Sequence, residues 1–208
     1  MPGFLEPIGD LAGQRPIDIY VPVVVVLAVA TTALTTLPAF LATYREKGVL
    51  RRLATTPARP THLLTAQLLV NLAATAVAVL LALIAGTVVF GVAGPANAPG
   101  FVVSFALGTA AMFGVGLLVA AVAATARVAS GVGMLLYFPT LFFAGVWLPG
   151  PLMPESIRRV AEWTPPGALA QAFQDTWAGA WPAPLHLAVL AGYLVLTGAA
   201  AARLFRWE

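Results

Sequence analysis

The sequence contains no cysteine, a single lysine (Lys47) and few charged residues of any kind. Without cysteine the chain cannot form disulfides, use a thiol in catalysis or bind a metal through thiolates. Charged residues make up 9% of the sequence and hydrophobic residues 60%, whereas globular proteins have about 25% charged residues. So few charges cannot cover the surface of a water-soluble domain of 208 residues. The composition therefore predicts a protein surrounded by lipid, and the bilayer is its first expected partner.

Chemistry of several kinds is also absent. The centres of the apolar runs contain no Asp, Glu, Lys, Arg or His, which most proton- and ion-coupled carriers need. There is no GxxxxGK[ST] motif, so the chain lacks a P-loop. His62 and His186 are far apart at the edges of apolar runs, and no serine has a neighbouring histidine. We therefore expect no catalytic residues, no metal site, no cofactor and no enzymatic activity in this chain.

Five apolar runs are long enough to cross a bilayer, since about 20 helical residues span its hydrocarbon core. The predicted fold class is an all-α polytopic membrane bundle with about five transmembrane helices and short amphipathic helices on both faces. We place the spans at 20–43, 63–92, 101–125, 130–148 and 185–202. Residues 1–19 form an N-terminal segment, and residues 20–208 form the transmembrane domain, which includes a loop at 44–62 and a longer segment at 149–183.

Basic and acidic residues concentrate in different segments between the apolar runs. Eight of the eleven basic residues fall in the loop 44–62, at Arg127 and after residue 202, whereas six of the eight acids fall in segments on the other side. Short loops rich in Lys and Arg remain in the cytoplasm. The pattern predicts a multi-pass protein of the inner or plasma membrane, with its N-terminus outside and its C-terminus in the cytoplasm. The net charge of +3 then reflects topology, and nucleic acid is not an expected partner.

The loop 44–62, YREKGVLRRLATTPARPTH, holds five of the eleven basic residues. Residues 45–54 contain no proline and mostly favour helix, so we predict a short amphipathic helix that Pro57 and Pro60 end. Glu46 falls on its apolar side, where an unpaired carboxylate is costly, and we expect it to pair with a basic group. These features favour a docking surface over a simple positive-inside anchor. The candidate docking residues are Arg45, Glu46, Lys47, Gly48, Val49, Leu50, Arg51, Arg52 and Leu53.

A second polar pattern lies in the second span, where Gln67, Asn71 and Thr75 are four residues apart and share one helix face. Such a stripe has two interpretations. The residues can make interhelical hydrogen bonds worth about 1 kcal/mol each, or they can line a substrate path.

Three local features carry further predictions. The threonines 31, 32, 35 and 36 allow close helix approach and interhelical hydrogen bonds in the first span, and Pro38 should bend that helix. A short helix should begin near Glu155 and stop at Pro165–Pro166. Another piece, from Ala168 to Trp177, should lie with it near the outer interface, because tryptophan prefers that depth.

Two stretches of the sequence resemble the membrane permease subunits of bacterial ABC-2-type exporters, notably those of drug and daunorubicin-resistance type. REKGVLRRLATTPARP is similar to the charged segment between the second and third helices of that family. FFAGVWLPGPLMPESIRRVAEWTPPGALAQAFQDT is similar to its last-but-one helix and the outer re-entrant pieces that follow. The resemblance extends from about Ile17 to the C-terminus.

The resemblance implies a permease half that moves a hydrophobic drug, a lipid or a glycan-type substrate outward. Energy would come from a separate ABC ATPase subunit, which binds ATP and Mg, and a second permease copy would complete a homo- or heterodimer. Residues 45–53 would be the element coupled to the ATPase. The family has six helices, and residues 1–19 resemble the outer loop that follows its first helix. We therefore expect that the gene context encodes an earlier apolar span or that this form is unstable alone. A membrane scaffold or assembly protein is the alternative, followed by a secondary carrier.

Overall fold

The computed structural model describes residues 16–48, 60–148 and 153–204. These ranges contain five helical stretches long and apolar enough to cross a membrane, which confirms the all-α polytopic fold class. The elements are α1 (Pro16–Thr31), a π-helical segment (Thr32–Thr36), α2 (Leu37–Glu46), α3 (Pro60–Phe90), α4 (Ala98–Val122), α5 (Ala126–Phe143), α6 (Glu155–Glu162), α7 (Pro165–Trp177) and α8 (Pro184–Leu204). The first three are continuous and are called the first span.

Several helix bounds differ from the predicted ones. The first span begins at Pro16, so the end of the predicted segment 1–19 is helical, and it continues to Glu46, beyond the predicted end at residue 43. Pro60 begins α3, although it was expected to end a helix. Proline suits the first helical position because the N–H that it lacks would have no partner there.

Side-chain caps fix where three of the helices begin. The side chains of Asn97, Thr125 and Thr164 each accept the backbone N–H three residues later, at 3.0, 3.2 and 3.3 Å. Each cap satisfies one of the N–H groups that the start of a helix leaves free. As a result α4 and α5 start about three and four residues earlier than predicted, at Ala98 and Ala126.

The segment between α5 and α8 departs further from expectation. Pro165 and Pro166 begin α7 and do not stop the preceding helix, which already ends at Glu162. Leu169 and Phe173 of α7 are fully buried in the bundle, whereas Trp177 at its end donates to Ala93 O in the connection between α3 and α4. Leu169 fits against Gly108 of α4, where a Cβ would lie 2.4 Å from the leucine Cδ1. The absent side chain therefore makes room for α7 inside the bundle.

Pro38 accounts for the π-helical segment that precedes it. The N–H of Leu37 donates to Thr32 O, five residues back, and Pro38 has no N–H to donate. The carbonyl of Ala33 therefore has neither of its possible helical donors: the N–H of Leu37 is bonded to Thr32 O, and Pro38 has no N–H. Leu34 O loses the donor four residues ahead. A proline effect was predicted at Pro38, and the structure shows a single π-helical turn just before it, the form in which the rare π-helix usually occurs inside α-helices.

Two glycines from other helices close on these carbonyls. A Cβ built on Gly116 of α4 would lie 2.0 Å from Ala33 O, and one built on Gly133 of α5 would lie 2.0 Å from Leu34 O. Only glycine permits such an approach, and glycine Cα–H groups make weak hydrogen bonds to carbonyls at helix interfaces. The first span is therefore clamped between α4 and α5 at the π-helical segment, in the middle of its length.

The remaining helices pack around α4. Its longest contact is with α8, to which it runs parallel, since Gly100 lies against Pro182 and Gly114 against Thr197. α5 packs mainly on α2 and the π-helical segment, whereas α3 packs mainly on α1 and leaves most of its valines and leucines exposed to the surroundings. Gly108, Gly114 and Gly116 of α4 each lie in a contact that a Cβ would obstruct, so they allow the close packing of its neighbours.

Candidate functional site

The candidate docking residues that the structure describes, Arg45 to Gly48, lie at the end of the bundle where α2, α4 and α8 finish and α3 and α5 begin. We call it the basic end, because Arg45, Lys47, Arg127 and Arg203 lie there. Lys47, Arg127 and Arg203 are exposed. The loop 44–62 leaves the bundle from this end, immediately beside the turn that joins α4 to α5.

Arg45 and Glu46, the last two residues of α2, reach the two sides of that turn. The guanidinium Nη1 of Arg45 donates to Ala121 O, in the last turn of α4, at 3.5 Å. The carboxylate Oε1 of Glu46 accepts the N–H of Ala126, the first residue of α5, at 3.0 Å. A cation therefore meets the C-terminus of one helix and an anion meets the N-terminus of the next, which is the favourable pairing with both helix dipoles.

Within the described ranges the partner of Glu46 is a backbone N–H. The sequence predicted a desolvated carboxylate, but Glu46 is exposed. The described ranges contain no ion pair of Glu46, and a basic partner on an ATPase stays a prediction. A free N–H at a helix N-terminus attracts a carboxylate in the same way as a basic side chain does. The hydroxyl of Thr125 accepts the N–H of Val128, so the N–H of Ala126 remains available to Glu46.

The predicted helix over residues 45–54 is interrupted near its start. Lys47 N–H donates to Thr43 O and Gly48 N–H to Arg45 O, both at 3.0 Å, and Gly48 has a φ of +64°. That left-handed conformation ends a helix and favours glycine. Arg45 and Glu46 therefore belong to the last turn of the spanning helix and not to a separate one. The candidate residues Val49, Leu50, Arg51, Arg52 and Leu53 lie outside the described residues.

The polar stripe of α3 is turned into the bundle. Asn71 and Thr75 are 4% and 1% exposed, and Gln67 is half-buried. The amide Nδ2 of Asn71 donates to Gln67 O, and the hydroxyl of Thr75 donates to Asn71 O, both at 2.8 Å. Farther along the same face, Gly86 lies against Val21 of α1. The side chains of Asn71 and Thr75 thus bond to carbonyls of their own helix. The use of the stripe as a substrate path stays a prediction.

A different polar pair lies on the surface of the isolated chain. The hydroxyl oxygens of Thr31 and Tyr137 are 3.0 Å apart and share a hydrogen bond between the first span and α5. Thr31 is exposed and is the sixteenth of the 31 residues from Pro16 to Glu46, which places it at mid-membrane depth. This bond confirms the interhelical role predicted for the threonines, at Thr31. The surface position depends on helix rotation, which the sequence did not specify.

Two cavities of the bundle differ in polarity. One of about 560 Å³ lies between α3, α4 and α8, and its lining is apolar apart from Thr109, with Leu72, Phe105 and Leu194 among its residues. A more polar one of about 480 Å³ lies at the end opposite the basic end, where Asp18, Asp175, Gln171, Gln174 and Trp177 contribute to its lining.

His186 lies beside this second cavity's Asp175. The sequence predicted a position at a membrane edge, and in the structure His186 lies in the first turn of α8. Its side chain is buried there, with Nδ1 3.5 Å from the Asp175 carboxylate. Asp175 Oδ2 also accepts the N–H of Ala183 at 3.0 Å. The carboxylate therefore holds the α7–α8 connection in place.

The long apolar helices, the basic end and the close-packed glycines define a polytopic α-helical membrane protein, in which the loop 44–62 holds five of the eleven basic residues. A family model described as an ABC-2 family transporter protein matches residues 14–203. The chain therefore belongs to the ABC-2 transporter family and is a transmembrane component of an ABC transporter, a type of subunit that works with an ABC ATPase. No curated protein and no solved structure matches the chain.

Proposed function

We propose that the chain is one permease half of an ATP-driven exporter that moves a hydrophobic drug, a lipid or a glycan-type substrate outward. A separate ATPase subunit binds ATP and Mg and docks on residues 45–53. The observation that carries this proposal is the position of the loop. It begins at Arg45 and Glu46, whose side chains hold the facing ends of α4 and α5. A partner bound there would act on three spans at once.

A second permease copy is expected to face the surface that carries Thr31 and Tyr137. Polar groups at mid-membrane depth normally face protein or a water-filled path and not lipid. Phe40 of α2 and Phe138 of α5 are also exposed, and apolar rings of this kind would suit a hydrophobic substrate. For Gln67, Asn71 and Thr75 to line the path as well, α3 would have to move away from the first span.

The proposed orientation puts the basic end in the cytoplasm, in agreement with the positive-inside rule. It predicts that a membrane-impermeant maleimide labels Ala180→Cys in intact cells and labels Lys47→Cys only after permeabilisation. Both positions are exposed, and the natural chain has no cysteine, so each variant carries a single thiol. Labelling of Lys47→Cys in intact cells, with Ala180→Cys protected, would reverse the orientation.

The docking proposal is tested by purifying the tagged chain from its native membrane and identifying bound proteins that hydrolyse ATP. Arg51→Ala combined with Arg52→Ala is expected to weaken binding of the ATPase about tenfold, because each lost ion pair contributes up to about 1 kcal/mol. Arg203→Ala is the matched control, since Arg203 is an exposed basic residue of the same end outside the loop. It should change binding less than about twofold.

Two outcomes would contradict the proposal. A wild-type chain that copurifies with no ATPase would favour a membrane scaffold. Equal losses in the loop variant and in Arg203→Ala would mean that general positive charge, and not the loop, holds the partner.

A further inference from the structure

The attachment of α5 to the rest of the bundle is unusual for a spanning helix. It follows α4 in the chain but packs mainly on the first span. The contacts occur at three depths: Glu46 at the start of α5, Gly133 against Leu34 O, and Tyr137 against Thr31. A displacement of the first span along its axis would therefore carry α5 with it.

Of these three contacts, only the one at Glu46 adjoins the docking loop. Its carboxylate holds the first N–H of α5, and two residues later Gly48 turns the chain out of the helix. Glu46 is exposed, so water can replace either partner and the bond can be made and broken at small cost. A bond of this kind transmits a movement without locking the two helices together.

We infer that Glu46, unlike the other residues of the docking segment 45–53, is not a contact for the ATPase but a positioning residue. It transmits movement of the docking loop to α5 through its bond to Ala126 N–H. The inference rests on the proposed function, in which the loop is moved by a partner. The helix that receives the movement carries Tyr137, so the loop and the proposed substrate surface are linked through one helix.

A purely structural role must be separated from this one, since any residue that caps α5 stabilises it. Thr125 provides the control. Its hydroxyl accepts Val128 N–H at 3.2 Å, two residues from the Glu46 contact and in the same first turn of α5. Thr125→Ala removes a cap of α5 and leaves the link to α2 intact, whereas Glu46→Ala removes both a cap and the link. Glu46→Gln keeps an oxygen that can accept the Ala126 N–H.

The first experiment measures ATPase binding and hydrolysis by the ATPase that copurifies with each variant, reconstituted in lipid vesicles. Glu46→Ala should keep binding within about twofold and lose about tenfold of the hydrolysis that the permease stimulates. Glu46→Gln and Thr125→Ala should each retain at least about half. A loss of binding in Glu46→Ala would make Glu46 a contact residue, and equal hydrolysis in Glu46→Ala and Thr125→Ala would make it only a cap. Either result overturns the inference.

The second experiment needs no ATPase and so separates this inference from the proposed function. Spin labels are placed at Phe40→Cys on α2 and Val128→Cys on α5, both about half exposed and the only thiols in the chain. The distribution of distances between the two labels should be narrow when Glu46 is present, both in the otherwise natural chain and in Thr125→Ala. It should be clearly broader in Glu46→Ala. An unchanged distribution in Glu46→Ala would overturn the inference, even if the docking proposal holds.

Discussion

Replacing Gly133 with alanine is expected to destabilise the bundle by about 1–3 kcal/mol, as inserting a methyl group into a close-packed contact typically does. The new Cβ would lie 2.0 Å from Leu34 O, so one of the two helices must shift. The obstacle is a backbone atom of the first span and cannot rotate away as a side chain could. Thermal unfolding in detergent, followed by tryptophan fluorescence, should show the midpoint lowered by several degrees.

Gly131→Ala is the matched control for this prediction. Gly131 lies two residues earlier in α5, and a Cβ there would have no heavy atom within 4 Å. Because alanine favours helix more than glycine does, this variant should be as stable as the natural chain or slightly more stable. Equal destabilisation by the two substitutions would mean that α5 tolerates no change at all, and the specific contact with Leu34 O would lose its support.

Replacing Phe173 with alanine is expected to cost about 3 kcal/mol, near the lower end of the range for buried phenylalanine. Its ring is fully buried in α7, with its centroid 5.0 Å from that of Phe101 and 6.4 Å from that of Trp177. Helices in membranes associate through packing and not through exclusion of water, so the loss comes from the cavity and the missing ring contacts. The same unfolding measurement applies.

Phe138→Ala provides the comparison, because this phenylalanine of α5 is 53% exposed in the isolated chain. Its removal leaves no internal cavity, and the unfolding midpoint should stay close to that of the natural chain. If the two phenylalanine variants unfolded at the same temperature, α7 would not be held in the core as the structure has it.

The architecture was largely predictable from sequence, because a membrane imposes its requirements residue by residue. A run of about 20 apolar residues must be a spanning helix, since every backbone group needs a partner in lipid. The short helix beginning at Glu155 was also predictable, because Pro154 and the charges that follow are local signals.

Some features that sequence reasoning missed had local signals, and others depend on contacts between distant segments. Thr164 caps α7 and proline suits the first helical position, so the start of α7 at Pro165 had a local signal. By contrast, the burial of Leu169 depends on the missing side chain at Gly108, more than fifty residues earlier in the chain. Glu46 looked desolvated in a hypothetical helix over 45–54, but Gly48 ends that helix and places the carboxylate beside Ala126.

The central claim is that this chain is driven by an ATPase acting on its docking loop. The most direct measurement is the rate of ATP hydrolysis in vesicles that contain the copurified ATPase, with and without the permease. We expect ATP hydrolysis to rise several-fold when the natural permease is present. The double variant Arg51→Ala with Arg52→Ala should remove most of this rise. Hydrolysis that is the same with the natural permease, with the loop variant and without either would contradict the central claim.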